Sequence, residues 1–179
     1  MEREQELEWA EAQKIAISVD LVAAAKQQLK FLAAVDRNRW LYEDHALKRA
    51  IYRYNLCWLP LLEKCSKAQM KEGPLVVPLD CEWIWHCHRL NPVRYKYDCE
   101  EFYGRLLDCH NVVSSIHGTS KRETEQIWNE LYPNEPYDFD LTGDFFEKIP
   151  PGDGKYTRYD LLSAVQRQIP FFIRCQDPI

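Results

Sequence analysis

The chain has no long apolar run: its hydrophobic stretches are a few residues each, far short of the ~20 a membrane-spanning helix needs. Glycine is scarce, six in 179 residues, which excludes collagen-like and glycine-rich low-complexity chains. Seven cysteines, at 57, 65, 81, 87, 99, 109 and 175, include no C-x-x-C pair. Zinc ribbons and thioredoxin-like sites are thereby disfavoured, and an odd count leaves one thiol over from any full disulfide framework. Reduced, small, mostly buried thiols are the expectation. Basic excess is missing too: 23 Lys and Arg against 28 Asp and Glu give a net charge of −5, which argues against broad sequence-independent binding to nucleic acid. The opening MEREQELEWAEAQK is charged throughout and has no apolar core of a signal peptide, so an intracellular location, cytoplasmic or nuclear, is expected. There is no G-x-S-x-G elbow, no glycine-rich phosphate loop and no H-E-x-x-H, the patterns that announce common hydrolytic and nucleotide chemistries.

What is present is an ordinary globular composition, 46% hydrophobic and 28% charged, and helical periodicity. After Ser18, read as an N-cap, Val22, Ala25, Leu29, Leu32 and Ala33 share one helix face. Leu47, Ala50, Ile51, Tyr54, Trp58, Leu61, Leu62 and Cys65 form a longer stripe, with Pro60 expected to kink or divide the helix. Lys48, Arg49 and Arg53 fall on its polar side and read as solvated. Residues 71–78 read as a loop, and Pro92 suits the first position of another helix. Its inner face carries Tyr95, Cys99, Phe102, Tyr103, Leu106 and Cys109; Arg94, Asp98, Glu101, Arg105 and Asp108 read as its solvated face. Ser120 to Glu123 is a capping-box pattern for a helix through Trp128. Thr157 is placed to cap a last helix, with Leu161, Leu162, Val165 and Ile169 inward before Pro170. Residues 133–155 hold four prolines, three glycines, six acidic residues and two lysines, and read as an acidic loop excursion over the surface. The expectation is a single mainly α domain over residues 1–179, with five to seven helices.

Chemistry concentrates in residues 79–92, LDCEWIWHCHRLNP. As a helix, Leu79, Trp83, His86 and Leu90 lie on one side and Cys81, Trp85 and His88 on another; the two histidines then point about 200° apart and cannot share a metal ion. Glu82 and His86, one turn apart, can contact each other, an arrangement that would orient the ring or raise its pKa. As a strand, Glu82, His86 and His88 alternate onto one face, a ligand set for one zinc or iron ion, with Cys99 a further candidate. The following Pro92 turn and the flanking helices favour the helix, and with it a tryptophan-rich packing segment that needs no cofactor. Cys87 and Cys99 are candidate thiol nucleophiles, though periodicity puts Cys99 on a core face. The surface around His88, Arg89 and Asn91, together with the acidic 133–155 segment, offers contacts for a protein partner. The aromatic residues fall largely at core offsets and form no RNA-stacking strand motif.

The run PLDCEWIWHCHRLNPVRYKYDCEEFYG, residues 78–104, closely resembles the N-terminal domain of plant glycine-rich domain-containing proteins. The likeness extends through DLVAAAKQQLKFLAAVDRNRWLYEDHALKRAIYRYNLCWLPLL upstream, and ELYPNEPYDFDL and YDLLSAVQRQIPFF downstream. The pattern W-H-x-H-x-L-x-P-x-x-Y is its specific part. The resemblance implies a regulator of growth, hormone-linked development and tolerance of osmotic or salt stress; the expectation is a non-enzymatic interaction domain, the alternative a metal-binding domain or metal-dependent enzyme centred on His86. The resemblance transfers no catalytic residue; Trp85, His86, Tyr95 and Cys99 are a signature only. Full-length members carry a glycine-rich C-terminal region, and some an RNA-recognition-like segment. RNA binding is therefore expected only through downstream regions absent here.

Overall fold

The computed structural model describes residues 2–68, 73–117, 121–139 and 156–175. The chain divides into two compact units, residues 1–33 and 34–179. Among the described residues it is mainly α, with eight α-helical segments and one two-stranded sheet. No helix there is long and apolar enough to cross a membrane.

The first unit holds α1 (Glu2–Ala12) and most of α2 (Leu21–Arg37). The cap of α2 is Asp20, whose Oδ1 accepts from the Ala23 N–H at 2.9 Å, rather than Ser18. A carboxylate satisfies an orphan first-turn donor and complements the positive end of the helix dipole. The shared face of Val22, Ala25, Leu29, Leu32 and Ala33 forms on α2 but is not the side the helix buries. Val22 and Leu29 are 65% and 66% exposed, and the buried side chains are Phe31, Ala34 and Val35.

In the second unit α3 (Asp44–Arg53), a π-helical turn (Tyr54–Trp58) and α4 (Leu59–Ala68) run on without a break, so the eight segments amount to seven helices. Pro60 cannot donate to the carbonyl four residues back and its ring would strike it. The chain absorbs this in the widened turn just ahead of it. The predicted stripe is inside: Leu47, Ala50, Tyr54, Trp58, Leu61 and Leu62 are all buried. The stretch read as a loop ends in β1 (Leu75–Val76), paired in parallel with β2 (Val112–Val113). Two residues are too few to show alternation. Both edges of β1 are in use, since the Val76 N–H donates to Thr124 Oγ1 and the Tyr137 hydroxyl donates to the Val76 carbonyl.

α5 (Leu79–Arg89) is the centre of this unit, touching α3, the π turn, α6 (Pro92–Tyr103) and α8 (Leu161–Cys175). Asn91 caps α6, and Gly104, at φ 72°, closes it in the left-handed conformation that an L side chain resists. Leu106 and Cys109 therefore lie beyond the helix and are exposed, not on its inner face. α7 (Lys121–Leu131) buries Thr124 and Trp128; Ser120 lies outside the described residues. α8 is capped by Asp160, which accepts from the Ser163 N–H and hydroxyl, whereas the Thr157 N–H donates to Asn55 Oδ1. The helix also continues past Pro170, which is exposed. Of the acidic segment, residues 133–139 are described and turn inward at Glu135 and Tyr137; residues 140–155 lie outside the described residues.

Candidate functional site

Residues 79–89 form the helix, and its composition shows why it sits at the centre. Asp80, Cys81, Trp83, Ile84, Trp85, Cys87 and His88 are all buried, so the helix is enclosed over most of its circumference and its buried polar groups need partners inside. Trp85 meets Trp58 edge-on, with ring centroids 5.6 Å apart. Its Nε1 donates to the Tyr95 hydroxyl at 3.0 Å, and that hydroxyl donates onward to the Leu107 carbonyl.

His88, expected at a protein-binding surface, is 0% exposed. Its Nδ1 lies 3.0 Å from the Tyr54 hydroxyl and its Nε2 3.2 Å from Asp98 Oδ2. Tyr159 stacks on the ring at 5.7 Å and Tyr95 meets it edge-on at 5.0 Å. The hydrogen bond of the ring is the one between Nδ1 and the Tyr54 hydroxyl, its direction set by the tautomer; Nε2 lies near Asp98 without hydrogen-bond geometry. Burial outweighs the nearby carboxylate and holds the imidazole pKa down to about 4. Asp98 is thus corrected from a solvated face residue to a buried one, 2% exposed, that accepts from the Tyr159 N–H. This Tyr–His–Asp cluster ties the π turn, α5, α6 and the approach to α8 together.

Arg49 and Arg53, read as solvated, are buried beside α5. Arg53 spends all five N–H donors. Nε and Nη2 donate to Asp80, Nη1 to Glu135 Oε1 and the Pro136 carbonyl, and Nη2 again to the Tyr137 carbonyl. Its guanidinium lies 5.0 Å from the Trp128 ring and 5.5 Å from Phe139. Arg49 pairs with the other oxygen of Glu135. Only Lys48 stays outside, paired with Asp44. Asp80 and Glu135 were the missed half of this cluster. The signal available was an aspartate set between Leu79 and Cys81 at the start of a tryptophan-rich helix.

The remaining candidates separate. Glu82 is half-buried and accepts from the Ser115 N–H and hydroxyl at 3.1 and 2.8 Å, and burial raises its carboxyl. His86 is half-buried and stacks on Trp83 at 5.8 Å. Its pKa is lowered to about 4 by burial and by the Arg89 charge, the reverse of the expected upward shift. Cys99 is buried with its thiol pushed up, as is Cys87, so neither is an activated nucleophile. Among the described residues no three His, Cys, Asp or Glu side chains are grouped to hold a metal ion. Glu82, His86, His88 and Cys99 are therefore not brought together.

What α5 presents outward is its end. Arg89 is exposed, with its guanidinium 4.8 Å from the Trp85 ring. Leu90, Val93 and Tyr97 follow around the corner into α6, 52%, 76% and 50% exposed. Asn91 is half-buried, and its side chain accepts from the Arg94 N–H.

Fold and site together define a helical module organised about a largely buried tryptophan–histidine helix. The sequence profile of the glycine-rich domain-containing protein-like family matches residues 1–98 and 94–179, and the chain belongs to that family. It is 61% identical over 175 residues to glycine-rich domain-containing protein 1 of Arabidopsis thaliana, covering 96% of this chain and 21% of that protein. It is also 61% identical over 176 residues to glycine-rich domain-containing protein 2 of the same plant, covering 96% and 22%. The chain thus spans about a fifth of the length of these relatives. No solved structure matches it.

Proposed function

We propose that the chain is a regulatory interaction module, without catalysis or a cofactor of its own, that binds a protein partner inside the plant cell. The wider role is the one the family resemblance implies: growth, development and osmotic or salt stress linked to hormone signalling. One observation carries the interaction reading. The polar groups with the chemistry of a site are enclosed, His88 with Tyr54 and near Asp98, and Arg53 with its two carboxylates, while Arg89, Leu90, Val93 and Tyr97 at the α5–α6 corner face solvent. An arginine held over an aromatic ring beside exposed apolar side chains has the composition of an interface centre. Asn91 contributes by setting the corner, and His88 no longer belongs to the contact.

The test is affinity capture from plant extract with wild-type protein and with Arg89→Glu combined with Tyr97→Ala. Loss of specific partners by a variant that melts with the wild type is the expected result. A variant that keeps every partner would overturn the assignment of the corner.

A further inference from the structure

We propose that residues 1–33 form a self-association surface, in which α1 of one copy lies on α2 of a second copy of this chain. Val22, Ala25, Leu29 and Leu32 recur at intervals of three, four and three, the spacing of a seam between paired helices. Such a seam is apolar because it is covered, yet Val22, Ala25 and Leu29 are exposed. The side of α2 that is buried, at Phe31, Ala34 and Val35, lies roughly opposite, about 145° around the helix. The excess is local. Of thirteen large apolar side chains exposed among the described residues, eight belong to residues 1–33.

Charge selects the occupant. α1 carries five glutamates and one arginine, and Glu6, Glu8 and Glu11 are exposed; Glu11 is shared with Lys14. α2 exposes Lys26 and Lys30 beside its apolar seam. Two α2 helices face to face would set lysine against lysine, whereas α1 against α2 matches the signs. Both halves of the match are in every copy, and within one copy Leu7 of α1, on the side of Glu8 and Glu11, and Val22 and Leu29 of α2 stay exposed. A two-fold pairing satisfies both at once, since an isologous interface makes each contact twice. This surface is separate from the α5–α6 corner, and its test does not depend on that reading.

Sedimentation equilibrium of the whole chain, from low to high micromolar concentration, is the experiment. The expected result is a reversible dimer, weakened at least about 100-fold by Val22→Glu with Leu29→Glu. Lys26→Glu with Lys30→Glu should also weaken it, and adding Glu8→Lys with Glu11→Lys, which share one face of α1, to that chain should restore it. These positions are exposed, so circular dichroism of each variant should match the wild type. A monomer throughout the range would overturn the proposal. So would a dimer indifferent to the Val22 and Leu29 changes, or a charge swap without rescue.

Discussion

Arg53 and Arg89 make the same ring contact and come to opposite ends. Each guanidinium stands about 5 Å from a tryptophan, Arg53 over Trp128 at 5.0 Å and Arg89 over Trp85 at 4.8 Å. Arg53 then gives all its donors to Asp80, Glu135 and two carbonyls in the interior. Arg89 keeps its outer donors for solvent. The stacking contact does not decide the role of an arginine; the carboxylates that reach it do. In the interior, cation and anions assemble the fold; at the corner, the same side chain stays exposed.

The largest test of that contrast is Arg53→Met, which leaves the Asp80 carboxylate buried without its cation and Glu135 with Arg49 alone. It should cost about 3–5 kcal/mol in urea unfolding, and Arg89→Met costing as much would erase the distinction. Acid should act next, through His88. Its pKa is about 4 folded and about 6.5 unfolded, so between these values the unfolded chain binds the proton that the folded chain refuses. Stability is then fully present above about pH 6.5 and falls as pH drops toward 4, by about 3 kcal/mol. A His88→Gln chain should show a shallower pH slope in the same window, and an unchanged slope would remove His88 from the interior account. Asp160→Ala, which strips the cap from α8, should cost about 1 kcal/mol by the same unfolding measurement. Smallest of all, Arg89→Glu should stay within about 0.5 kcal/mol of wild type.

The sequence made the helices legible because apolar periodicity is local: the stripe from Leu47 to Leu62 lies inside as read. It misled where a polar side chain finds its partner far along the chain. Arg53 meets carboxylates 27 and 82 residues away, and His88 meets Tyr54, 34 residues away. No window of one or two helical turns contains those pairs, so Arg49, Arg53 and Asp98 read as solvated. Caps failed for a related reason. Ser18 and Thr157 have the right chemistry, but Asp20 and Asp160 stand nearer the first turns of their helices. In residues 79–92 the helical reading held and already kept His86 and His88 apart. Which histidine would be buried depended on Tyr54, Asp98 and Tyr159, and only the fold brings those together.

The central claim is that the histidines of this helix are parts of the packing. Metal content, measured by mass spectrometry on protein purified without a histidine tag or chelator, tests it most directly when His86→Ala and His88→Ala are run beside the wild type. The account predicts no stoichiometric metal, and variants that are merely less stable. One equivalent of zinc or iron in the wild type, lost in a histidine variant that stays folded, would contradict it.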